Sequence, residues 1–68
     1  MTVKDKDGNE YQIEEQYDAE NEEYTGKFEI TIYFAEGGYW ETLSVHKTRE
    51  EANKKFEEMK KLNNLKEA

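Results

Sequence analysis

Apolar and polar residues alternate in the middle of the chain, and this pattern predicts a β-hairpin. Every second position of its first arm is apolar, the period that places side chains on one side of an extended strand: Phe28, Ile30, Ile32 and Phe34. Gly37-Gly38 then supplies the backbone freedom that a tight reversal requires. The segment 27–46 therefore predicts two antiparallel arms with the two glycines at their tip.

The predicted hairpin has an apolar face and a polar face. Leu43 and Val45 continue the apolar alternation into the second arm. With a two-residue turn, His46 lies opposite Glu29. The apolar face needs a cover, whereas the other face is predicted to remain open and to carry these residues: Glu29, Thr31, Tyr33, Trp40, Thr42, Ser44 and His46.

From residue 48 the period of the apolar residues changes from 2 to 3.6, which predicts an amphipathic helix. Thr48 followed by Glu51 is a capping box, and Asn63-Asn64 tolerates the left-handed backbone of a helix end. Leu65 lies near that end. The apolar stripe predicted to cover the hairpin consists of Ala52, Phe56, Met59 and Leu62.

Residues 1–17 predict another hairpin. A three-residue loop at 6–8 puts Gly8 at the position that favours a left-handed backbone, and it sets Val3 opposite Tyr11 and Met1 opposite Ile13. A two-residue turn would set Val3 opposite Gln12 and mix the faces. Residues 18–26 are predicted to form a loop that links the hairpins.

The predicted fold class is therefore α+β. It is an antiparallel sheet of three to four strands, a β-β-β-β-α meander, with one C-terminal helix packed on one face, in a single domain covering residues 1–68. Cysteine is absent, so no disulfide supplements a core drawn from 34% hydrophobic residues. No apolar run reaches the ~20 residues of a membrane span, and the segment MTVKDKDG lacks the apolar stretch of a secretory signal, so we expect a cytoplasmic protein.

The segment DKDGNEY at residues 5–11 resembles the opening of the EF-hand calcium loop. Asp5, Asp7 and Asn9 match its first oxygen-ligand positions. The resemblance ends where glycine is required, because Glu10 stands there, and where the bidentate glutamate is required, because Gln16 stands there. A polar hairpin turn is the favoured interpretation, and no metal site is predicted.

The net charge of −7 lies in the first third of the chain, where residues 1–26 hold nine acidic residues and two lysines. Its densest part comprises Asp18, Glu20, Glu22 and Glu23. Such a field repels phosphate backbones and attracts basic surfaces. The acidic segment is either a solvated surface or a docking patch for a basic protein.

The sequence shows no combination of residues typical of catalysis. His46 is the single histidine and cysteine is absent, so the usual nucleophilic dyads and nitrogen-rich metal sites cannot form within one chain. Phosphate-binding loops and dinucleotide fingerprints are also missing. We expect no enzymatic activity and no cofactor.

Exposed aromatic residues on the open face indicate a binding function. We expect a basic protein partner, and the site residues predicted to contact it are Tyr33, Trp40, Thr42, His46, Asp18, Glu20, Glu22 and Glu23. In a narrower form, rows of carboxylates imitate nucleic acid and inhibit a basic target. An alternative to an exposed Trp40 is that its side chain folds over the sheet edge or against the first hairpin. A further alternative is a homodimer, in which a second copy of the chain covers the open face.

Two further interpretations remain open. The dipeptide YW followed by TREEA, after a sheet and before a helix, resembles the small DNA-reading domains of the AP2 and integrase-arm type, which implies that Tyr33 and Trp40 stack on bases. Only Lys27 and Lys47 occur near the predicted sheet face, so electrostatics disfavours nucleic acid. The other interpretation is a designed or orphan domain without a partner.

Overall fold

A five-stranded antiparallel sheet and one helix form the fold in the computed structural model, which describes residues 2–67. The strands occur in the order β4-β3-β2-β1-β5 across the sheet. The predicted α+β meander with a C-terminal helix is confirmed, and the short last strand was not predicted. The elements are β1 Thr2–Lys4, β2 Glu10–Asp18, β3 Glu23–Phe34, β4 Tyr39–His46, α1 Arg49–Leu62 and β5 Lys66–Glu67.

The β1–β2 hairpin has the predicted register. Val3 pairs with Tyr11, and Gly8 adopts a left-handed φ of 86° in the three-residue loop. The loop is closed by hydrogen bonds from the Gly8 N–H to the Asp5 carbonyl and from the Asp5 N–H to the Asn9 carbonyl, both 3.1 Å. The predicted partner of Ile13, Met1, lies outside the described residues.

β2 and β3 form a long hairpin where a linking loop over 18–26 was predicted, so that prediction is wrong. Only residues 19–22 connect the two strands. Tyr17 pairs with Tyr24, and their rings meet edge to face at 5.2 Å. Gly26 has φ 85° inside β3, where the ladder is irregular. The dense negative charge led to the prediction of a loop at these strand residues, because polar composition is typical of loops.

Four residues, 35–38, connect β3 to β4, so the predicted two-residue turn at Gly37-Gly38 is wrong. Tyr33 pairs with Trp40 and Phe34 with Tyr39. Both aromatic pairs have ring centroids about 5 Å apart, at 5.0 and 4.9 Å. Cross-strand aromatic contacts stabilise a sheet, and this register makes two of them.

Leu43 interrupts the β3–β4 ladder and reverses the faces of the residues that follow it. Thr42 pairs with Thr31, but the next pair is Ser44 with Ile30. Ser44 and His46 therefore share the side of Ile30, and Val45 lies opposite Glu29. The predictions that Leu43 and Val45 are buried and that Ser44 and His46 lie on the open face are wrong. The predicted pairing of His46 with Glu29 is wrong too, because His46 pairs with Phe28.

The helix covers the sheet face that was predicted to need a cover. Its capping residue is confirmed, since Thr48 Oγ1 accepts the Glu51 N–H at 3.1 Å. Tyr11, Ile13 and Met59 pack against the edge of a core in which Ala52 and Ile32 are also buried. The central core cluster consists of Val3, Ile30, Phe56 and Leu65.

Leu62 was predicted to belong to the core, but its side chain is 81% exposed. The helix ends there, and Asn64 takes the left-handed φ of 52° that was expected of this dipeptide. The chain reverses direction after the helix, and a 3.0 Å hydrogen bond from the Leu65 N–H to the Lys60 carbonyl holds this turn. The turn directs the Leu65 side chain toward the core. Leu65 is buried in place of Leu62.

Candidate functional site

The sheet face turned away from α1, called the open face, carries the candidate site. Directly paired residues of neighbouring antiparallel strands project to the same side. Gln12 pairs with Thr31, and Glu14 pairs with Glu29. The side chains assigned to the open face by these pairings are Glu10, Gln12, Glu14, Glu29, Thr31, Tyr33, Trp40, Thr42 and Val45.

An aromatic pair lies at one end of the open face, as predicted. Tyr33 and Trp40 are direct cross-strand partners with ring planes tilted by 52°. Trp40 is 49% exposed, so it is not sealed against the sheet or the first hairpin. Thr42 is exposed on the same face. These three predicted site residues are brought together.

Two carboxylates lie directly opposite each other beside the aromatic pair. Glu14 on β2 pairs with Glu29 on β3. Each carboxylate accepts a hydrogen bond from an uncharged side-chain amide. Gln16 Nε2 donates to Glu29 Oε2 at 3.4 Å, and Gln12 Nε2 donates to Glu14 Oε1. Like charges at directly opposed positions destabilise a sheet.

No cation compensates this carboxylate pair within residues 2–67. The ion pairs there join Lys4 to Glu10 at 3.5 Å and Lys60 to Glu57 at 3.4 Å. The open face therefore combines the half-exposed Trp40 ring with uncompensated negative charge, an arrangement suited to a cation.

Thr31 lies beneath these groups and is 5% exposed although it belongs to the open face. Its Oγ1 atom has no hydrogen-bond partner among the described atoms. Above it is a depression of about 250 Å³, lined by Glu14, Glu29, Thr31, Trp40, Glu41 and Thr42. A buried hydroxyl without a partner is unusual in a folded protein and requires an explanation.

The acidic residues predicted to contact a partner do not join the aromatic pair. Glu20 and Glu22 lie in the β2–β3 turn, flanked by Asp18 and Glu23. At about 3.3 Å per residue, β3 separates Glu23 from Tyr33 by roughly 30 Å. The acidic turn is therefore at the opposite end of the hairpin.

Asp18 also has a structural task in this turn. Its carboxylate accepts the Asn21 Nδ2 donor at 2.7 Å and the backbone N–H groups of Glu20 and Asn21 at 3.0 and 3.3 Å. The Asn21 side chain and these N–H groups hold the pKa of Asp18 below its ordinary value. Its oxygens are engaged in holding the turn.

His46, the remaining predicted site residue, lies on the helix side of the sheet. Its Nε2 atom is 2.8 Å from the Ser44 Oγ atom. The interruption at Leu43 reverses the face of both residues, as the β3–β4 pairing requires. His46 is therefore not part of the open-face site.

Asp5 organises the turn whose sequence resembles a calcium loop. Its Oδ1 accepts the N–H groups of Asp7 and Asn9 at 2.9 and 3.0 Å, and its Oδ2 accepts Asn9 Nδ2 and the Tyr11 hydroxyl at 3.1 and 3.2 Å. Burial opposes ionisation, but these hydrogen bonds outweigh it and hold the pKa of Asp5 below 3.8. Burial and the same carboxylate raise the pKa of Tyr11.

Glu14, Glu29 and Thr31 were missed as site residues. The alternation that placed Tyr33 on the open face also placed Glu29 and Thr31 there. Glu14 joins them only through the β2–β3 register, which the predicted loop at 18–26 concealed. Extending β2 to Asp18 does not reveal the pair, because a regular ladder from Tyr17–Tyr24 would set Glu14 opposite Lys27. The irregularity between Glu15 and Tyr17 shifts the register and sets Glu14 opposite Glu29.

The part of the chain that the structure describes contains no cluster of three or more potential metal-binding side chains of the His, Cys, Asp or Glu type. The 14-residue helix α1 is neither long nor apolar enough to cross a membrane. Comparisons with protein-family models, curated proteins and solved structures gave no match.

Proposed function

We propose that the chain is a non-enzymatic acidic binding module whose open face takes a basic segment of a protein partner. The observation that carries this proposal is the half-exposed Trp40 beside the uncompensated Glu14–Glu29 pair. Aromatic side chains supply contact area at protein interfaces, and the carboxylates supply complementarity to lysine and arginine.

The same charges favour a protein over a nucleic acid. The β1–β2 pairing places Lys4 on the open face, but this lysine already pairs with Glu10. A phosphate backbone would meet the carboxylates of Glu14 and Glu29, and neither of them takes part in an ion pair within the described residues. A second copy of the chain would present the same carboxylates, so homodimerisation through this face is disfavoured as well.

Imitation of nucleic acid is a narrower form of this proposal. Carboxylates at the Glu14–Glu29 pair and at the acidic turn extend along the β2–β3 hairpin. A row of this kind complements a groove that binds phosphates. Inhibition of a basic nucleic-acid-binding protein would follow from occupation of that groove.

A basic peptide with mixed lysine and arginine residues, separated by serine and glycine, tests the proposal. We expect saturable changes in the fluorescence of Trp40 and in the amide resonances of β2, β3 and β4. Affinity should fall several-fold between about 50 and about 200 mM salt, because screening weakens charge attraction. A glutamate-containing peptide of the same spacing should not bind.

Matched variants locate the contact. Trp40→Leu and Glu29→Gln should each lower the affinity for the basic peptide several-fold. Glu58→Gln, on the exposed side of α1, should leave this affinity unchanged. Resonance changes restricted to α1 or to the acidic turn would contradict the proposed face. Preferential binding of a mixed oligonucleotide pool at low salt would support the nucleic-acid alternative instead.

A further inference from the structure

Three features of the depression above Thr31 suit a positively charged group that donates hydrogen bonds. The Thr31 hydroxyl has no hydrogen-bond partner although it is buried. Glu14 and Glu29 are opposed without a cation. Half of the Trp40 surface is exposed at the rim.

From these features we infer that the depression receives a single arginine side chain of the basic partner. The inference rests on the proposed function and names the group that the open face recognises. A positive charge between Glu14 and Glu29 removes their mutual repulsion. A donor that reaches Thr31 Oγ1 gives this hydroxyl the partner that it lacks.

Arginine fits this arrangement better than lysine. The planar guanidinium carries five N–H donors in a fixed fork, so it can bond to carboxylates at its edge and place its flat surface on an indole ring. A lysine ammonium is compact and more strongly hydrated, and it offers three donors from one atom. The depression offers an aromatic face from Trp40 and acceptors from Glu14, Glu29 and Thr31.

Access to Thr31 requires its neighbours to move, because its Oγ1 atom is shielded from solvent. Trp40 belongs to the edge strand β4 and is half exposed, so its side chain has room to rotate away. Arginine binding should therefore change the environment of this single tryptophan. The fluorescence of Trp40 reports the event directly.

Three short peptides that differ only at one central residue test the inference. The residue is arginine, lysine or citrulline, which has nearly the shape of arginine without its charge. Titration of the labelled protein should give saturable changes at the Thr31 amide and the Trp40 indole N–H with the arginine peptide. The lysine peptide should bind at least about ten-fold more weakly, as loss of one charge-assisted hydrogen bond would give, and the citrulline peptide should not saturate.

Thr31→Val removes the hydroxyl while keeping the branched shape. We expect this variant to bind the arginine peptide several-fold more weakly. The melting temperature of the protein should rise, because a buried polar atom without a partner is removed. Thr31→Ser keeps the hydroxyl and should preserve the preference for arginine over lysine. Glu58→Gln, an exposed change on α1 away from the open face, is the control and should alter neither property much.

Two outcomes overturn the arginine site and leave the proposed function intact. One is equal affinity for the arginine and lysine peptides at the open face, and the other is unchanged arginine affinity in Thr31→Val. If the mixed basic peptide of the earlier experiment also fails to change any open-face resonance, the proposed function itself is wrong. The single-residue series and the mixed peptide therefore separate the two failures.

Discussion

Single aspartates begin two of the turns in the sheet. Asp5 precedes the β1–β2 loop and Asp18 precedes the β2–β3 turn, and each carboxylate accepts backbone N–H groups of residues further along its turn. These bonds satisfy amides that the strand ladders leave unpaired. The side-chain type at one position thus fixes where each strand ends.

Asp5→Asn should lower the free energy of unfolding at neutral pH by about 1.5–3 kcal/mol, the range for hydrogen bonds to a charged group. The folded protein holds the pKa of Asp5 below 3.8, so its contribution is present above that value and is lost as the pH falls through the lowered pKa. The stability difference between the variant and the original protein should therefore shrink in strong acid. Urea unfolding at neutral pH and below the lowered pKa measures both values.

Asp7→Asn is the control for this experiment. Asp7 is exposed, and its hydrogen bond to Asp5 uses its backbone N–H and not its carboxylate. Its substitution should change stability by less than about 0.5 kcal/mol, as is usual for surface positions. A gap between Asp5→Asn and the original protein that is the same at both pH values would contradict the role given to the Asp5 charge.

At the scale of elements, the end of α1 determines which leucine enters the core. Leu62 completes the helical stripe by spacing alone, but the turn at Asn64 places Leu65 against Val3 and Phe56 instead. A left-handed residue after a helix redirects the chain, and the side chain that follows the turn occupies the space. The last strand then begins one residue later.

Leu65→Ala should lower the free energy of unfolding by about 2–5 kcal/mol, because it leaves a cavity among buried side chains. Leu62→Ala makes the same chemical change at an exposed position and should cost less than about 0.5 kcal/mol. Denaturant unfolding of the two variants provides the comparison. Equal losses would show that the chain end does not pack as described.

The elements were largely predictable, whereas the register of β4 against β3 was not. Strict alternation from Phe28 to Phe34 and the capping pair Thr48–Glu51 are local signals, and both gave the correct element. The four-residue loop before Tyr39 and the interruption at Leu43 depend on which cross-strand pairs form. These pairings are tertiary choices, and a single displaced residue reverses every later face.

On the scale of the whole molecule, negative charge and the binding face are linked. The site could be predicted in part, because Tyr33, Trp40 and Thr42 follow from the β3 alternation and the hairpin. The carboxylates that complete it come from pairing of β2 with β3, which brings Glu14 from the acidic first third of the chain next to Glu29. The sequence shows which segment of the chain carries the negative charge, but it does not show that part of this charge lies on the open face of the sheet.

Added salt should raise the melting temperature by a few degrees, because screening reduces repulsion in a chain of net charge −7. In a domain of this size, 1 kcal/mol of stability corresponds to about 4–8 °C in melting temperature. Glu14→Gln should raise the melting temperature without salt and reduce the response to salt, because it removes half of the opposed pair. Glu58→Gln is the control. A melting temperature that falls on addition of sodium chloride would contradict this account of the charge.

The pairing of β1 with β5 also constrains how the protein can be made. Lys4 pairs with Lys66, and Val3 shares the core with Leu65. The earliest and latest described segments are thus neighbours in the finished sheet, so the interior cannot close during synthesis until residue 66 has emerged from the ribosome. Until α1 has emerged, the β2–β3–β4 meander has its apolar side uncovered, and the acidic residues of its first hairpin keep such nascent chains apart by mutual repulsion.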